Sequence, residues 1–389
     1  MQVLRFCNGG KVTSERYFVN LRMLQSIYHD VILAGWVTCL VLGVCLLAGR
    51  LPKRPVFATY ARSRNILGIA YIIFGLAIAQ FTLFNLRVTA PAIAVSLQLT
   101  YYYLEGILFG MSFSSLLDKN YICRRQLTVD FGLYAGFLVV NWGAVAADVC
   151  MGGPTGALWG TVLHIIAAAW FFIAASAISW RFFRIYRTTM RKLNNYYADN
   201  AIDSFVRWLN KSVYGIVFCG LSGALLAFAP MQFNCVFMSV GIVMFIYIFS
   251  SFQNYILNYE SVERTTEDDE TVPAPEESAN DLAMAVERWV AGKNYLQTGL
   301  TMADLAQAVG TNRTYISAFI NSHYNCSFRD WINSLRMKYA KNLLLSQKQM
   351  TVEKIALASG FTSASYFCKQ FAQREGCTPS DYRQRNTSL

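Results

Sequence analysis

The sequence predicts an all-α protein: a polytopic bundle of about seven transmembrane helices, then a C-terminal domain of two helix-turn-helix units joined by a linker helix. Three observations support this fold class. Hydrophobic residues make up 54% of the 389 residues and charged residues only 15%, as is typical of membrane proteins. Charged residues are nearly absent from long stretches before residue 258. From residue 281, short amphipathic segments alternate with glycine turns.

Seven apolar segments account for the predicted bundle, and each is long enough to cross the roughly 30 Å hydrocarbon core of a bilayer. They span residues 31–49, 66–84, 91–113, 131–149, 156–180, 213–230 and 233–256. A soluble amphipathic helix would carry a polar stripe, which these segments lack. The fourth segment is the weakest, because Asn141 and Asp148 interrupt it.

The loops between these segments predict an orientation. Lys and Arg accumulate in loops 50–65, 114–129 and 181–211, whereas the intervening loops hold only Arg87. Because Lys and Arg mark the cytoplasmic side, the N-terminus is predicted to lie outside and everything after residue 257 in the cytoplasm.

The basic N-terminal residues oppose that orientation. They are Arg5, Lys11, Arg16 and Arg22. Translation from Met23 rather than Met1 would remove all four and is the favoured interpretation, although the choice between the two starts stays open. These residues do not form a cleavable signal peptide, because the apolar run begins too late.

Composition argues against a metal site and against catalysis. The ten cysteines form no CxxC pair and no Cys/His spacing suited to zinc. The three histidines are far apart in the chain. No nucleophile, phosphate loop or carboxylate pair has a recognisable setting. The sequence therefore predicts no metal, no cofactor and no enzymatic activity.

Three domains follow from these patterns. Residues 1–257 form the transmembrane sensor or anchor domain, and residues 281–389 form the helical C-terminal domain. Residues 258–280 between them contain two prolines and the acidic run 267–270, without apolar periodicity. They are predicted to be a flexible acidic linker.

The C-terminal domain repeats one pattern twice. Residues 302–321 predict a short helix, a turn at Gly310 and a second helix capped by Asn312. Residues 351–371 repeat this order, with the turn at Gly360-Phe361. The stretch between them predicts one continuous amphipathic helix, which would hold the two helix-turn-helix units at a fixed spacing.

Residues 281–385 resemble the AraC-type (AraC/XylS) DNA-binding domain, a resemblance that covers little more than a quarter of the chain. It depends on Arg336, Ala340, Leu343-Leu344, Ile355-Ala356, Gly360-Phe361, Ser365-Tyr366-Phe367, Phe371, Gly376-Cys377-Thr378-Pro379 and Tyr382-Arg383. The apolar half resembles no family residue by residue, so its role is inferred from physical properties only.

The resemblance implies binding of double-stranded DNA by two recognition helices that enter successive major grooves, about 34 Å apart. The implied base-reading candidates are Thr314, Ser317, Ala318, Ala364, Ser365, Tyr366 and Lys369. The candidates for phosphate contact are Arg313, Lys354, Arg374 and Arg383. Ala318 and Ala364 stand where relatives often carry polar readers, so Lys369 is the strongest single base-reading candidate.

The charge of the C-terminal domain suits DNA. Residues 281–389 hold thirteen Lys and Arg against seven acidic residues, a net charge of +6, which suits phosphate contacts. A competing hypothesis for the acidic run 267–270 is that it mimics DNA and occupies this basic domain when the sensor is idle.

Polar residues within the apolar half are candidates for sensing, because burying them in a bilayer is costly. They are Glu105, Gln98 and His164. An alternative interpretation is that Glu105 pairs with His164 or a tyrosine and only fixes the bundle.

The sequence predicts a multi-pass regulator of the bacterial inner membrane that couples a signal to transcription. Its expected partners are DNA, the lipid bilayer and an unknown ligand or signal. The alternative function is a membrane receptor, channel or transporter whose C-terminal helices bind a protein. Homodimerisation, the signal, the operator and the sign of regulation stay open.

Overall fold

The computed structural model describes residues 6–52, 54–84, 86–151, 153–199, 201–226, 231–266 and 279–387. In these ranges the chain is all-helical, with no named strand and one isolated bridge between Tyr197 and Thr301. It divides into two compact units, Met1–Tyr186 with Arg207–Glu260, and Arg187–Val206 with Ser261–Leu389. The second unit therefore includes a segment predicted as a loop between two apolar helices.

The described helices up to residue 266 are mostly long. They are α1 (Phe6–Ala48), α2 (Ala58–Leu83), α3 (Leu86–Thr89), α4 (Pro91–Leu117), α5 (Arg124–Met151), α6 (Gly153–Tyr196), α7 (Ala201–Leu226) and α8 (Met231–Thr266).

Six stretches of the described chain are long and apolar enough to cross a membrane. They are Ser26–Ala48, Pro55–Phe81, Ala92–Leu117, Arg124–Met151, Gly153–Tyr196 and Val236–Leu257. The remaining predicted segment, 213–230, reaches residues 227–230, which lie outside the described residues. The all-helical class is confirmed, whereas membrane crossing and the number of spans stay predictions.

Close helix packing shapes the first unit. A Cβ built on Gly43 of α1 would lie 2.9 Å from the carbonyl oxygen of Gly68 on α2, so only glycine permits this approach. Small residues at such crossings are typical of helices in membranes. The Tyr71 hydroxyl of α2 donates a hydrogen bond of 2.6 Å to the Phe245 carbonyl oxygen, which ties α2 to α8.

One of the two polar residues that interrupt the fourth apolar segment has a structural role. Asn141 of α5 is fully buried. Its amide donates to the Ser96 carbonyl oxygen at 2.8 Å and to the Thr100 hydroxyl at 3.1 Å, both on α4. Hydrogen bonds between helices therefore explain how an apolar helix accommodates this amide.

Helix α8 continues further than the sequence predicts. Residues 258–266 are helical, whereas the acidic linker was predicted to begin at residue 258. The physical reason is packing: Tyr259 is fully buried, and its ring centroid lies 5.5 Å from that of Tyr60. The prolines and the acidic run of the predicted linker, with the rest of 267–278, lie outside the described residues.

The second unit contains seven shorter described helices after residue 278. They are α9 (Ala279–Ala291), α10 (Met302–Ala308), α11 (Arg313–Tyr324), α12 (Phe328–Ser346), α13 (Val352–Ala358), α14 (Ala364–Glu375) and α15 (Pro379–Thr387).

Helix α12 joins two hydrophobic cores. Its N-terminal half contributes Phe328 and Trp331 to a core shared with α9, α10 and α11. Its C-terminal half contributes Met337 and Leu344 to a core shared with α13 and α14. The predicted linker helix is confirmed, and both helix-turn-helix units pack against it.

Candidate nucleic-acid interface

The first helix-turn-helix unit is α10, a turn and α11. Thr301 and Asp304 form a reciprocal capping box at the start of α10. Gly310 turns the chain with φ +77°, in the left-handed region. The Asn312 side chain accepts the Tyr315 N–H at 2.7 Å, so the predicted N-cap of α11 is confirmed.

The second unit, α13, a turn and α14, repeats this construction. Gly360 has φ +84°. The Ser363 hydroxyl accepts the Tyr366 N–H at 3.2 Å, and α14 begins at the next residue, close to the predicted position. Phe367 and Phe371 are fully buried behind the helix, so the opposite face of α14 points to solvent.

The predicted base-reading residues of α11 share one side of that helix. Thr314 and Ala318 are exposed, and Ser317 between them is half-buried. The Ser317 hydroxyl lies 3.5 Å from the Asn321 amide nitrogen, a long contact. This face is therefore open and carries only small side chains at the predicted positions.

The predicted base-reading residues of α14 divide into two groups. Ser365 and Lys369 are exposed and four residues apart, so they lie on the same helix face. Ala364 is half-buried and packs against the core of the second unit. The Tyr366 hydroxyl accepts a hydrogen bond of 3.1 Å from the Asn333 amide. Ser365 and Lys369 are consequently the candidates of α14 that reach solvent most freely.

The predicted phosphate-contacting residues also differ in environment. Lys354 and Arg374 are exposed. Arg383 is half-buried, and its guanidinium donates to the Met350 carbonyl oxygen at 2.8 Å. This bond ties α15 to the loop before α13, so Arg383 has a structural role in the described domain.

An ion pair holds α14 on the linker helix. The Lys341 ammonium of α12 lies 2.9 Å from a carboxylate oxygen of Glu375, at the end of α14. This hydrogen bond raises the pKa of Lys341, so the ammonium stays charged at neutral pH. The pair is partly exposed, so its contribution to stability is small.

A buried arginine lies at the centre of the second unit. The Arg336 guanidinium of α12 is fully buried. It donates to the carbonyl oxygens of Tyr295 at 2.8 Å and Gln297 at 2.6 Å, and to the Asp199 carboxylate at 2.7 Å. The other Asp199 oxygen accepts the Gly299 N–H at 2.6 Å. Asp199 therefore bridges the loop before α10 and the linker helix.

The segment that carries Asp199 is built into this domain. Ala198 is fully buried, and its N–H donates to the Leu300 carbonyl oxygen at 3.0 Å. The buried Arg329 donates to the carbonyl oxygens of Tyr197 at 3.1 Å and Asp199 at 2.9 Å. Sequence reasoning missed this segment, although an acid within a strongly basic loop is a signal that could have indicated it.

Contacts within the domain reduce the number of arginine side chains that are available to bind DNA phosphates. Arg336 and Arg329 are buried and hydrogen-bonded inside the domain. The Arg313 guanidinium lies over the Tyr196 ring, 5.3 Å from its centroid. The net charge of +6 counted from sequence therefore overstates the charge available to DNA.

The three predicted sensing residues lie in the first unit and do not form one cluster. The His164 ring nitrogen Nε2 is 2.8 Å from the Ser96 hydroxyl. Gln98 is buried and lines a small cavity beside Tyr101. Neither carboxylate oxygen of Glu105 has a hydrogen-bond partner in the described part of the chain. The alternative interpretation, a pairing of Glu105 with His164 or a tyrosine, is not seen there, and the His164 ring instead contacts Ser96.

The second unit matches known proteins. The family model of a helix-turn-helix domain matches residues 305–385. The virulence regulon transcriptional activator VirF of Yersinia enterocolitica is 40% identical over 91 residues, which are 23% of this chain and 33% of that protein. The HTH-type transcriptional regulator ExsA of Pseudomonas aeruginosa is 38% identical over 92 residues, 24% of this chain and 32% of that protein.

Two further matches cover similar shares of the chain. The regulatory protein PocR of Salmonella typhimurium is 34% identical over 91 residues, 23% of this chain and 30% of that protein. The solved C-terminal domain of the response regulator yesN of Fusobacterium nucleatum is 26% identical. That match covers 26% of this chain and 97% of that one, with a TM-score of 0.24. The similarity spans about a third of the length of the curated relatives, of which two are transcription regulators and one is a regulatory protein.

Proposed function

Because the C-terminal domain is an AraC-type helix-turn-helix domain, we propose that this chain is a membrane-bound transcription regulator. It binds specific DNA sequences and couples a signal at the membrane to gene expression. The observation that supports this most strongly is the pair of capped helix-turn-helix units on one helix, within a region similar to bacterial transcription regulators. Those relatives favour DNA over a protein as the partner of this domain.

The exposed face of α14 supports direct readout of bases. Ser365 and Lys369 point to solvent from that face, with Phe367 and Phe371 packed behind it. A lysine in a major groove can donate to guanine O6 and N7. Lys354, on α13 and equally exposed, is suited to a phosphate, which fixes position without reading sequence.

Lys369→Ala is expected to lower the ratio of specific to non-specific DNA affinity roughly 5- to 150-fold, because one base contact is worth about 1–3 kcal/mol. Both affinities are measured with the full chain at one salt concentration, on a site selected in vitro and on random DNA. Lys354→Ala is the matched control and should weaken both affinities alike. An unchanged ratio for Lys369→Ala would place sequence readout elsewhere.

The surface of the first unit supports the membrane location. Leu158, Ile165 and Ile173 of α6 are 62%, 64% and 70% exposed, which would be costly in water. Similar exposed apolar side chains occur on α5 and α8. A lipid bilayer is the environment that such outward-facing residues favour. We place the protein in the bacterial inner membrane, with the C-terminal domain in the cytoplasm.

The proposed topology predicts that reporter fusions after residues 153 and 260 report opposite compartments. The physical reason is the concentration of Lys and Arg in the loops 50–65, 114–129 and 181–211. The measurement pairs a reporter active only outside the cytoplasm with one active only inside. A fusion within loop 181–211 is the control and should report the cytoplasm. Cytoplasmic signals at both 153 and 260 would contradict seven crossings.

The route of coupling is proposed to be the segment 196–199. It is joined through the chain at both ends to predicted membrane spans and supplies Ala198 and Asp199 to the DNA-binding unit. A displacement of those spans would therefore pull directly on Arg329 and Arg336 of the linker helix. This segment gives the signal a covalent path besides the acidic linker.

A further inference from the structure

The cavity around Glu105 has the features of a ligand site. Helices α1, α2, α4, α6, α7 and α8 of the first unit line a partly open cavity of about 120 Å³ there, several times the roughly 10–15 Å³ that one water needs on the same measure. The walls are almost entirely apolar, and Glu105 of α4 lines the cavity. The space is large enough for a small organic molecule that must be mostly apolar.

Glu105 is the polar feature of this cavity that lacks a partner. Its side chain is only 6% exposed, and both carboxylate oxygens are without a hydrogen-bond donor among the described residues. The nearby Tyr71 hydroxyl donates instead to the Phe245 carbonyl oxygen. A buried carboxyl without a donor is costly. A ligand that supplies donors at this point would remove that cost.

Aromatic rings surround the same space. Phe74 lies between Tyr102 and Phe245, with ring centroids 6.3 and 4.8 Å away, and Phe109 is 6.0 Å from Phe245. All four residues line the cavity together with Glu105. Aromatic faces attract cations, and this attraction strengthens where water is excluded. A carboxyl group beside several rings is the chemistry that recognises an organic ammonium group.

We propose that this cavity binds a small lipophilic amine, with the ammonium group on Glu105 and the apolar body between the rings. The ammonium donates to the carboxylate oxygens, and a charge-assisted hydrogen bond of this kind is stronger than a neutral one. A lipid acyl chain would fill the space but leave Glu105 without a donor. The role of this ligand as the signal rests on the proposed regulatory function. Its binding to the cavity does not.

The test compares two probes of equal shape on the purified full chain in lipid nanodiscs at neutral pH. The probes are 2-phenylethylamine, which is protonated at that pH, and 2-phenylethanol, which is neutral. Affinity is taken from the dependence of Tm on probe concentration. The amine is expected to bind at least tenfold more tightly than the alcohol. Equal affinities would overturn the proposal, and this comparison needs no variant.

Glu105→Gln keeps the shape of the side chain and removes its charge. It is expected to weaken amine binding at least tenfold and to leave alcohol binding unchanged. Asp148→Asn is the matched control, because Asp148 is an exposed carboxylate on α5 outside the cavity, and it should alter neither affinity. Full amine affinity in Glu105→Gln would overturn the assignment of the carboxyl group.

Specific DNA binding, measured alongside amine binding, separates the two proposals. Amine binding that is at least tenfold weaker in Glu105→Gln supports the cavity assignment, whatever the DNA-binding measurement shows. A chain that binds the amine normally but binds no specific DNA under any condition would count against the proposed regulator alone. A failure of the proposed regulatory function can therefore be distinguished from a failure of the proposed amine site.

Discussion

Asp199→Ala is expected to destabilise the DNA-binding unit by about 3–5 kcal/mol, because it leaves the buried Arg336 guanidinium without its counter-charge. Asp199 lies 137 residues before Arg336 in the chain, between two predicted membrane spans. The substitution also removes the acceptor of the Gly299 N–H. The measurement is hydrogen exchange of the α12–α14 amides in the full chain, which reports the free energy of opening.

Two comparisons identify the ion pair as the cause. Arg191→Ala, at an exposed position on α6 just before that segment, should leave the exchange of α12–α14 unchanged. The double variant Asp199→Leu with Arg336→Met should be more stable than Asp199→Ala alone, because well-packed apolar residues can replace a buried ion pair. Normal protection of α12–α14 in Asp199→Ala would show that the segment 196–199 does not support the domain.

Gly360→Ala is expected to cost roughly 2–5 kcal/mol, far more than an ordinary glycine-to-alanine change. The left-handed backbone at φ +84° contributes about 1–2 kcal/mol. The new methyl group would lie 2.6 Å from the Leu296 carbonyl oxygen and 2.9 Å from Arg336 Nε, and relieving such overlap costs about 1–3 kcal/mol more. The loss is measured as the change in the free energy of unfolding of the DNA-binding unit in guanidinium. Hydrogen exchange of the α12–α14 amides monitors the unfolding.

Gly310→Ala is the matched control. Gly310 occupies the same turn of the first helix-turn-helix unit with φ +77°, but no heavy atom lies within 4 Å of a Cβ built there. Its substitution should therefore cost only the backbone contribution of about 1–2 kcal/mol. Equal losses at the two glycines would mean that the contact with Leu296 and Arg336 relaxes without cost.

Local sequence patterns predicted most of the C-terminal domain. The turns at Gly310 and Gly360, the Asn312 cap and the linker helix all depend on residues close together in the chain. A capping side chain reaches a backbone N–H only three residues away, and a left-handed turn favours glycine whatever surrounds it. Such preferences are visible in a sequence because no distant partner is needed.

Less of the apolar half than of the C-terminal domain could be predicted from the sequence. Length and hydropathy were enough to identify long helices, and charge predicted their orientation. The sequence could not predict which buried polar groups contact each other. Every predicted span is apolar on most of its surface, so its pattern does not determine which helices are its neighbours. Glu105 and His164 were both sensing candidates and could have paired with each other, whereas the structure gives His164 a serine partner and leaves Glu105 facing an aromatic cavity.

The sequence alone determined the all-helical class, the two helix-turn-helix units and their similarity to DNA-binding domains, because periodicity, caps and turn glycines are local. Only the tertiary structure decided that Asp199 completes the buried site of Arg336, that Gly360 is sterically confined while Gly310 is not, and that Tyr366 bonds to the linker helix. Each of these joins residues far apart in the chain. Their contact arises from how the helices pack, which no short stretch of sequence encodes.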